Sequence, residues 1–139
     1  MQSKKPRIYW VDDEVNAEMY QSSKEIFKMY FDMTFLETID ELERKLQNEP
    51  FPDVVILDII FGTKPDEGLK YLEKVAISKA TMFKELKLVV LTANSYLPHL
   101  EKILKITKEH KHRMKFYEKM ISIKKLSENI SDWLGSKKC

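Results

Sequence analysis

The sequence predicts a doubly wound α/β domain, a mostly parallel five-stranded sheet with five helices packed on its two faces. Three observations predict it. Short runs rich in β-branched and aromatic residues alternate five times with segments whose apolar residues fall at helical spacing. The run Val54-Val55-Ile56-Leu57 has no polar alternation, as in a strand buried on both faces. Right-handed crossovers turn such an alternation into a single sheet covered above and below.

Each element has a local reason. Arg7-Ile8-Tyr9-Trp10-Val11 is a first strand by composition and stops at Asp12-Asp13-Glu14. From about Asn16, a suitable cap, Met19, Ile26, Phe27 and Tyr30 mark a first helix. Met33-Thr34-Phe35-Leu36 reads as a second strand. Residues 39–48 follow as a helix with Ile39, Leu42 and Leu46 on one face and Asp40 and Glu41 near its positive end. Pro50-Phe51-Pro52 forbids helix and leads into the third strand, ending at Asp58. Residues 62–68 are a loop by composition. Leu69, Leu72, Val75 and Ala76 define a third helix that continues irregularly towards Phe83.

Residues 86–91 form a fourth strand that stops at Thr92-Ala93-Asn94-Ser95. Leu97, Leu100, Ile103, Leu104 and Thr107 give a fourth helix, longer than such a unit needs. Met114-Lys115-Phe116-Tyr117 is a brief fifth strand leading to Lys119. Ser122 caps a last helix whose stripe is Ile123, Leu126, Ile130, Trp133 and Leu134. Trp10, Trp133 and the methionines read as packing residues.

The 139 residues suit one domain, 1–139, with no second domain, repeat or linker visible. A hydrophobic fraction of 43% excludes a disordered chain. No apolar run reaches membrane-spanning length, and residues 1–6 lack the apolar segment of a signal peptide. The single cysteine, Cys139, excludes a disulfide framework or a cysteine zinc site, so the expected compartment is the cytoplasm. Net charge is +2, but residues 99–139 carry 11 Lys+Arg against 5 Asp+Glu. Such a basic third suits either a solvated face or an acidic partner, and no nucleic-acid reader motif accompanies it. His110 and His112, set among lysines, read as a solvated helix end rather than a metal pair.

In a parallel sheet the residues just past the strand ends converge on one edge. Here these are Asp12 and Asp13, Asp58, Thr92 and Lys119. A lone Asp58 would suit a turn or helix cap better than a chemical role. Three acids from distant parts of the chain are another matter: crowded together they repel unless protonated or bound to a cation. Oxygen ligands of this kind suit Mg2+, which keeps several waters and shares its shell with phosphate. With a threonine and a lysine beside it, such a site could neutralise an incoming phosphoryl group while Asp58 acts as nucleophile.

At these residues the chain resembles the receiver domains of two-component response regulators. The resemblance covers the whole chain and rests on Val11-Asp12-Asp13-Glu14, Pro52-Asp53-Val54-Val55-Ile56-Leu57-Asp58, Asp66-Glu67-Gly68-Leu69, Leu91-Thr92-Ala93, and Lys119-Met120-Ile121-Ser122-Ile123. It implies a flavodoxin-like sheet of strand order 2-1-3-4-5. It also implies that Asp58 accepts a phosphoryl group from a sensor histidine kinase or phosphotransfer protein. Asp13 would bind Mg2+ directly, Asp12 mainly through water, and Asp58 and the backbone carbonyl of Ile60 would complete the protein ligands. Thr92 would turn its hydroxyl to the phosphoryl oxygen, Lys119 would pair with it, and Phe116 would be the switch aromatic. The output surface would be the fourth helix, fifth strand and fifth helix, open to a downstream protein or to a second copy in a homodimer. Such a domain is a phosphoacceptor rather than an enzyme, promoting only its own phosphotransfer and dephosphorylation.

Three positions depart from the family's pattern. Met120 follows Lys119 where proline is usual, Gly62 stands where proline is common in a longer loop, and Ile60 places an apolar side chain near the expected phosphoryl site. Ile60 is expected to slow hydrolysis. Met120 and the loop leave open an alternative, a pseudo-receiver acting as a phosphorylation-independent interaction module. An aspartate-nucleophile phosphatase would need a second acid two residues after Asp58, where this chain has Ile60.

Overall fold

Every strand of the sheet is parallel to its neighbours, in the order β2-β1-β3-β4-β5. The computed structural model describes residues 5–12, 21–48, 51–58, 65–77, 86–92, 97–118 and 121–135. In chain order the elements are β1 (Arg7–Val11), α1 (Gln21–Tyr30), β2 (Asp32–Leu36), α2 (Ile39–Asn48), β3 (Val54–Asp58), α3 (Pro65–Ile77), β4 (Leu88–Thr92), α4 (Leu97–Glu109), β5 (Met114–Glu118) and α5 (Ile123–Gly135). This is the expected architecture and strand order.

The central strand decides the layering. All five residues of β3 are buried, as its unbroken apolar run requires, and alternate residues feed two cores. On one face Val55 and Leu57 pack with Leu42 and Leu46 of α2, Leu72 and Val75 of α3 and Ile103 of α4. On the other, Val54 and Ile56 pack with Phe27 of α1 and with Leu126 and Ile130 of α5. Trp10 fills the second core with its ring edge-on to Phe27, 5.1 Å between centroids, so it is a packing residue.

Caps follow local chemistry. Ser122 Oγ accepts the Lys125 amide proton at 3.0 Å, the expected cap of α5. Thr38 does the same for Glu41 at 3.1 Å, while the Glu41 carboxylate reaches back to the Glu37 amide at 2.7 Å.

Four expectations need correction. Helix α3 begins at Pro65, so residues 65–68 are helical rather than loop; proline is pre-set for a first helical turn, where its missing N–H costs nothing. Thr92 is the last residue of β4 instead of the first beyond it. Leu104 is 44% exposed, and Ile106 takes its place against the core. Arg113, counted with the solvated basic segment, is buried. The Asn16 cap, Met19 and the continuation of α3 towards Phe83 lie outside the described residues.

Candidate functional site

The carboxyl edge of the sheet is assembled by register. Val11 pairs with Leu57, so Asp12 and Asp58 are the next step on adjacent strands β1 and β3. Asp58 pairs with Leu91, which puts Thr92 one step further along β4, and Thr92 pairs with Glu118 at the end of β5. Residues separated by more than a hundred positions in sequence thus meet at one edge because five parallel strands stop together.

Asp12 and Asp58 are both fully buried. The Asp12 amide donates to the Leu36 carbonyl at 2.9 Å, which extends the β1–β2 ladder by one residue and fixes where β1 ends. Neighbouring strands lie about 4.8 Å apart, and two carboxylates at that spacing repel by roughly 1 kcal/mol in water and by about 3–4 kcal/mol at an effective dielectric near 20. Taking both from water costs several kcal/mol more per ion unless they are paired or hydrogen-bonded. A buried acidic pair of this kind fits a divalent cation with hard oxygen ligands, so the residues present suit the expected Mg2+. Among the described residues, no group of three His, Cys, Asp or Glu side chains is arranged to hold a metal ion. Asp13, Ile60 and Lys119 lie outside them, and Thr92 is described through its backbone alone.

Phe116 is half-buried against the α2–α3–α4 core and pairs across the sheet with Val90, two residues before Thr92. Next to it on β5, Tyr117 packs on the α5 side. Burial raises its phenol above the usual range, opposed by a hydrogen bond with Asn129 of α5. Strand β5 is therefore tied on one side to the α4 core and on the other to α5.

The structure adds two features that sequence reasoning missed. Arg113 Nη2 donates to the Val75 and Ala76 carbonyls at 3.4 and 3.5 Å, covering the carboxyl end of α3 from the turn after α4. Its guanidinium lies 3.4 Å from His110 Nδ1. Burial, then Arg113, then His112 hold the His110 imidazolium below its ordinary range, with Glu109 opposing. At the other end of the sheet, Asp53 Oδ2 accepts the Arg7 amide proton at 2.8 Å, and the Asp53 amide donates to the Arg7 carbonyl at 2.7 Å. Asp53 thereby sets the register that carries Asp58 to its place beside Asp12. A basic residue next to two histidines, and an acid immediately before a strand, were the only signals available for either feature.

At the level of sequence, no family model matches the chain and no curated protein matches it. Solved structures do match over most of its length. The chain is similar to a CheY-like response regulator receiver domain protein from Methanospirillum hungatei, with 24% identity over 96% of each chain and a TM-score of 0.68. It is similar to a response regulator receiver protein from Pseudomonas putida, with 17% identity over 94% of this chain and 99% of that one and a TM-score of 0.71. A response regulator from Thermotoga maritima matches with 16% identity over 94% and 98% and a TM-score of 0.67. At such identities the likeness is one of fold. Strand order, helix placement and the acidic carboxyl edge together give this chain the fold of a response-regulator receiver domain.

Proposed function

We propose that the protein is a receiver that takes a phosphoryl group on Asp58 and switches a protein-docking surface. The observation that carries this is the buried pair of Asp12 and Asp58 at adjacent register positions on the carboxyl edge. Two ionised acids at neighbouring positions disfavour each other's charge, and a divalent cation bound between them would offset that repulsion.

In this reading an Asp58 carboxylate oxygen attacks the phosphorus of a phosphohistidine or a small acyl phosphate. A P–O bond forms, the bond to the donor breaks, and the leaving group departs with its electron pair. Asp12 and Asp13, with Asp58 and the Ile60 carbonyl, would hold Mg2+, which supplies positive charge for the phosphoryl oxygens. Thr92 would donate its hydroxyl to one of those oxygens, and Lys119 would pair with another. The acyl phosphate adds about −1.5 to −2 charge and favours the arrangement in which both close around it. Phe116, packed against the core and paired with Val90 of β4, would follow that movement and alter the surface of α4, β5 and α5. The donor would be a sensor histidine kinase or phosphotransfer protein, the recipient of the signal a downstream protein or a second copy, and the setting the cytoplasm. Among the described residues no helix is long and apolar enough to cross a membrane.

The test is incubation with Mg2+ and acetyl phosphate followed by intact mass. The expected result is a gain of one phosphoryl group that requires Mg2+ and is lost in Asp58→Asn. No gain, with no response to Mg2+ plus beryllofluoride, would favour the pseudo-receiver instead.

A further inference from the structure

Side chains that the phosphoryl chemistry leaves unused gather along the β5 edge of the sheet. Strand β5 pairs with β4 alone, and α4 flanks it on one face and α5 on the other. Phe116 turns to the α4 side, while Lys115 and Tyr117 turn to the α5 side. Tyr117 is hydrogen-bonded to Asn129, and the Lys115 ammonium lies 5.4 Å from the Trp133 ring centroid, so β5 and α5 share one surface. The Lys87 ammonium, from the residue before β4, rests on the same half-buried indole at 5.5 Å.

Helix α4 completes this face. Its Lys102 ammonium meets Glu73 at 3.5 Å, which marks the flank towards α3. At roughly 3.6 residues per turn, Leu104 lies about 160° around the helix from Lys102, with Lys108 one turn beyond it on the same side. Both are exposed, Leu104 by 44%, on the flank towards the β5 edge, and Lys105 stands next to Lys108 on the outward face. Both helices run back antiparallel to the strands, so their last turns stand level with the start of β5. Lys87, Lys105, Lys108 and Lys115 therefore cluster at one level, and among the described residues none of them forms an ion pair. Lys125, one turn before Asn129, adds a fifth cation. The acids that the described residues bring to this face are Glu101 and Asp132, so positive charge prevails.

We infer, resting on the output surface proposed above, that this face docks an acidic segment of a partner protein. An apolar side chain of the segment would lie against Leu104 and Phe116, with carboxylates on the surrounding lysines. Isologous pairing of two copies would set the same five lysines against one another, which favours a different, acidic partner over a second copy. A bilayer would find Leu104 alone among the exposed large apolar side chains of the described residues here, too little to hold it. A nucleic-acid backbone would engage the lysines and leave Leu104 uncovered.

A fluorescein-labelled peptide of alternating glutamate and leucine tests this by anisotropy against the full chain, with and without Mg2+ and beryllofluoride. Saturable binding is expected, tightened by Mg2+ with beryllofluoride and weakened roughly tenfold in Lys105→Glu/Lys108→Glu and in Lys87→Glu/Lys115→Glu. Leu104→Ser should weaken it by roughly threefold. Lys28→Glu/Arg44→Glu, on α1 and α2 near the β2 edge, should bind as the parent does. Circular dichroism reports whether each variant is folded, and Lys87→Gln/Lys115→Gln, expected to weaken binding by roughly threefold, serves if the double reversal unfolds the chain. Saturable binding that ignores beryllofluoride would support the docking face and count against the switch. Absence of saturable binding overturns the docking face, and a phosphoryl gain by intact mass in the same preparation shows that the phosphoryl reading survives it. Folded lysine variants with unchanged affinity, tighter binding to single-stranded DNA or phosphatidylserine vesicles, or a dimer that Leu104→Glu abolishes would overturn it as well.

Discussion

A buried charge is informative only through what surrounds it. Arg113 has carbonyl partners at the end of α3, and removing it leaves those carbonyls short of a donor. Arg113→Ala is therefore expected to cost about 1–3 kcal/mol in urea unfolding, with Arg113→Lys recovering part of it. His110 beside it links stability to pH. Its folded-state pKa lies below the unfolded value, because burial and the neighbouring Arg113 and His112 disfavour the imidazolium. The unfolded chain then binds the proton more readily, so this contribution is absent above the ordinary histidine range and destabilises as pH falls through about 6.5. His110→Gln should flatten part of the stability loss between about pH 7.5 and 5.5, read as the difference in urea midpoint. At the proposed phosphoryl site, Ile60→Asn is expected to shorten the acyl-phosphate lifetime, followed by the decay of the added mass after removal of the donor. An unchanged lifetime would show that Ile60 does not restrict water.

At the scale of elements, the chain is held by matched local signals. The stripe Ile39, Leu42 and Leu46 of α2 is buried as its spacing requires, and Thr38 and Glu41 close its first turn. Thr38→Ala and Ser122→Ala should each lower stability by about 1 kcal/mol without changing the sheet, measured by urea titration and circular dichroism. Links between helices are lighter. Lys74 to Glu43 at 2.6 Å joins α3 to α2, and Lys102 to Glu73 at 3.5 Å joins α4 to α3, both exposed enough to be screened. Helix α4 differs from its periodic reading in that Leu104 is exposed and Ile106 packs against the core, while Thr107 is buried as its spacing requires. The Thr107 hydroxyl donates to the Ile103 carbonyl at 2.9 Å, which satisfies it locally and lets a polar residue occupy an inward position.

At the scale of the whole molecule, the proposed phosphoryl site lies where the parallel strands β1, β3 and β4 end side by side. Binding of Mg2+ with beryllofluoride at the Asp58 edge would favour the folded state by mass action, about 2.7 kcal/mol at a hundredfold excess over Kd. The expected outcome is a raised melting temperature in the parent protein and none in Asp58→Asn. The sequence by itself determined the fold class, the strand order through its resemblance, and the elements, because a run buried on both faces and five helical stripes are local patterns with one global solution. It also singled out Asp12 and Asp58, since acids at the ends of apolar runs stand out. Only the tertiary structure decided that these two are both buried and stand at neighbouring positions. The same is true of the placing of Arg113 over α3 and the gathering of Lys87 and Lys115 on Trp133. Those facts depend on strand register and on which helix end faces which turn, and pairing across space leaves no periodic trace along the chain.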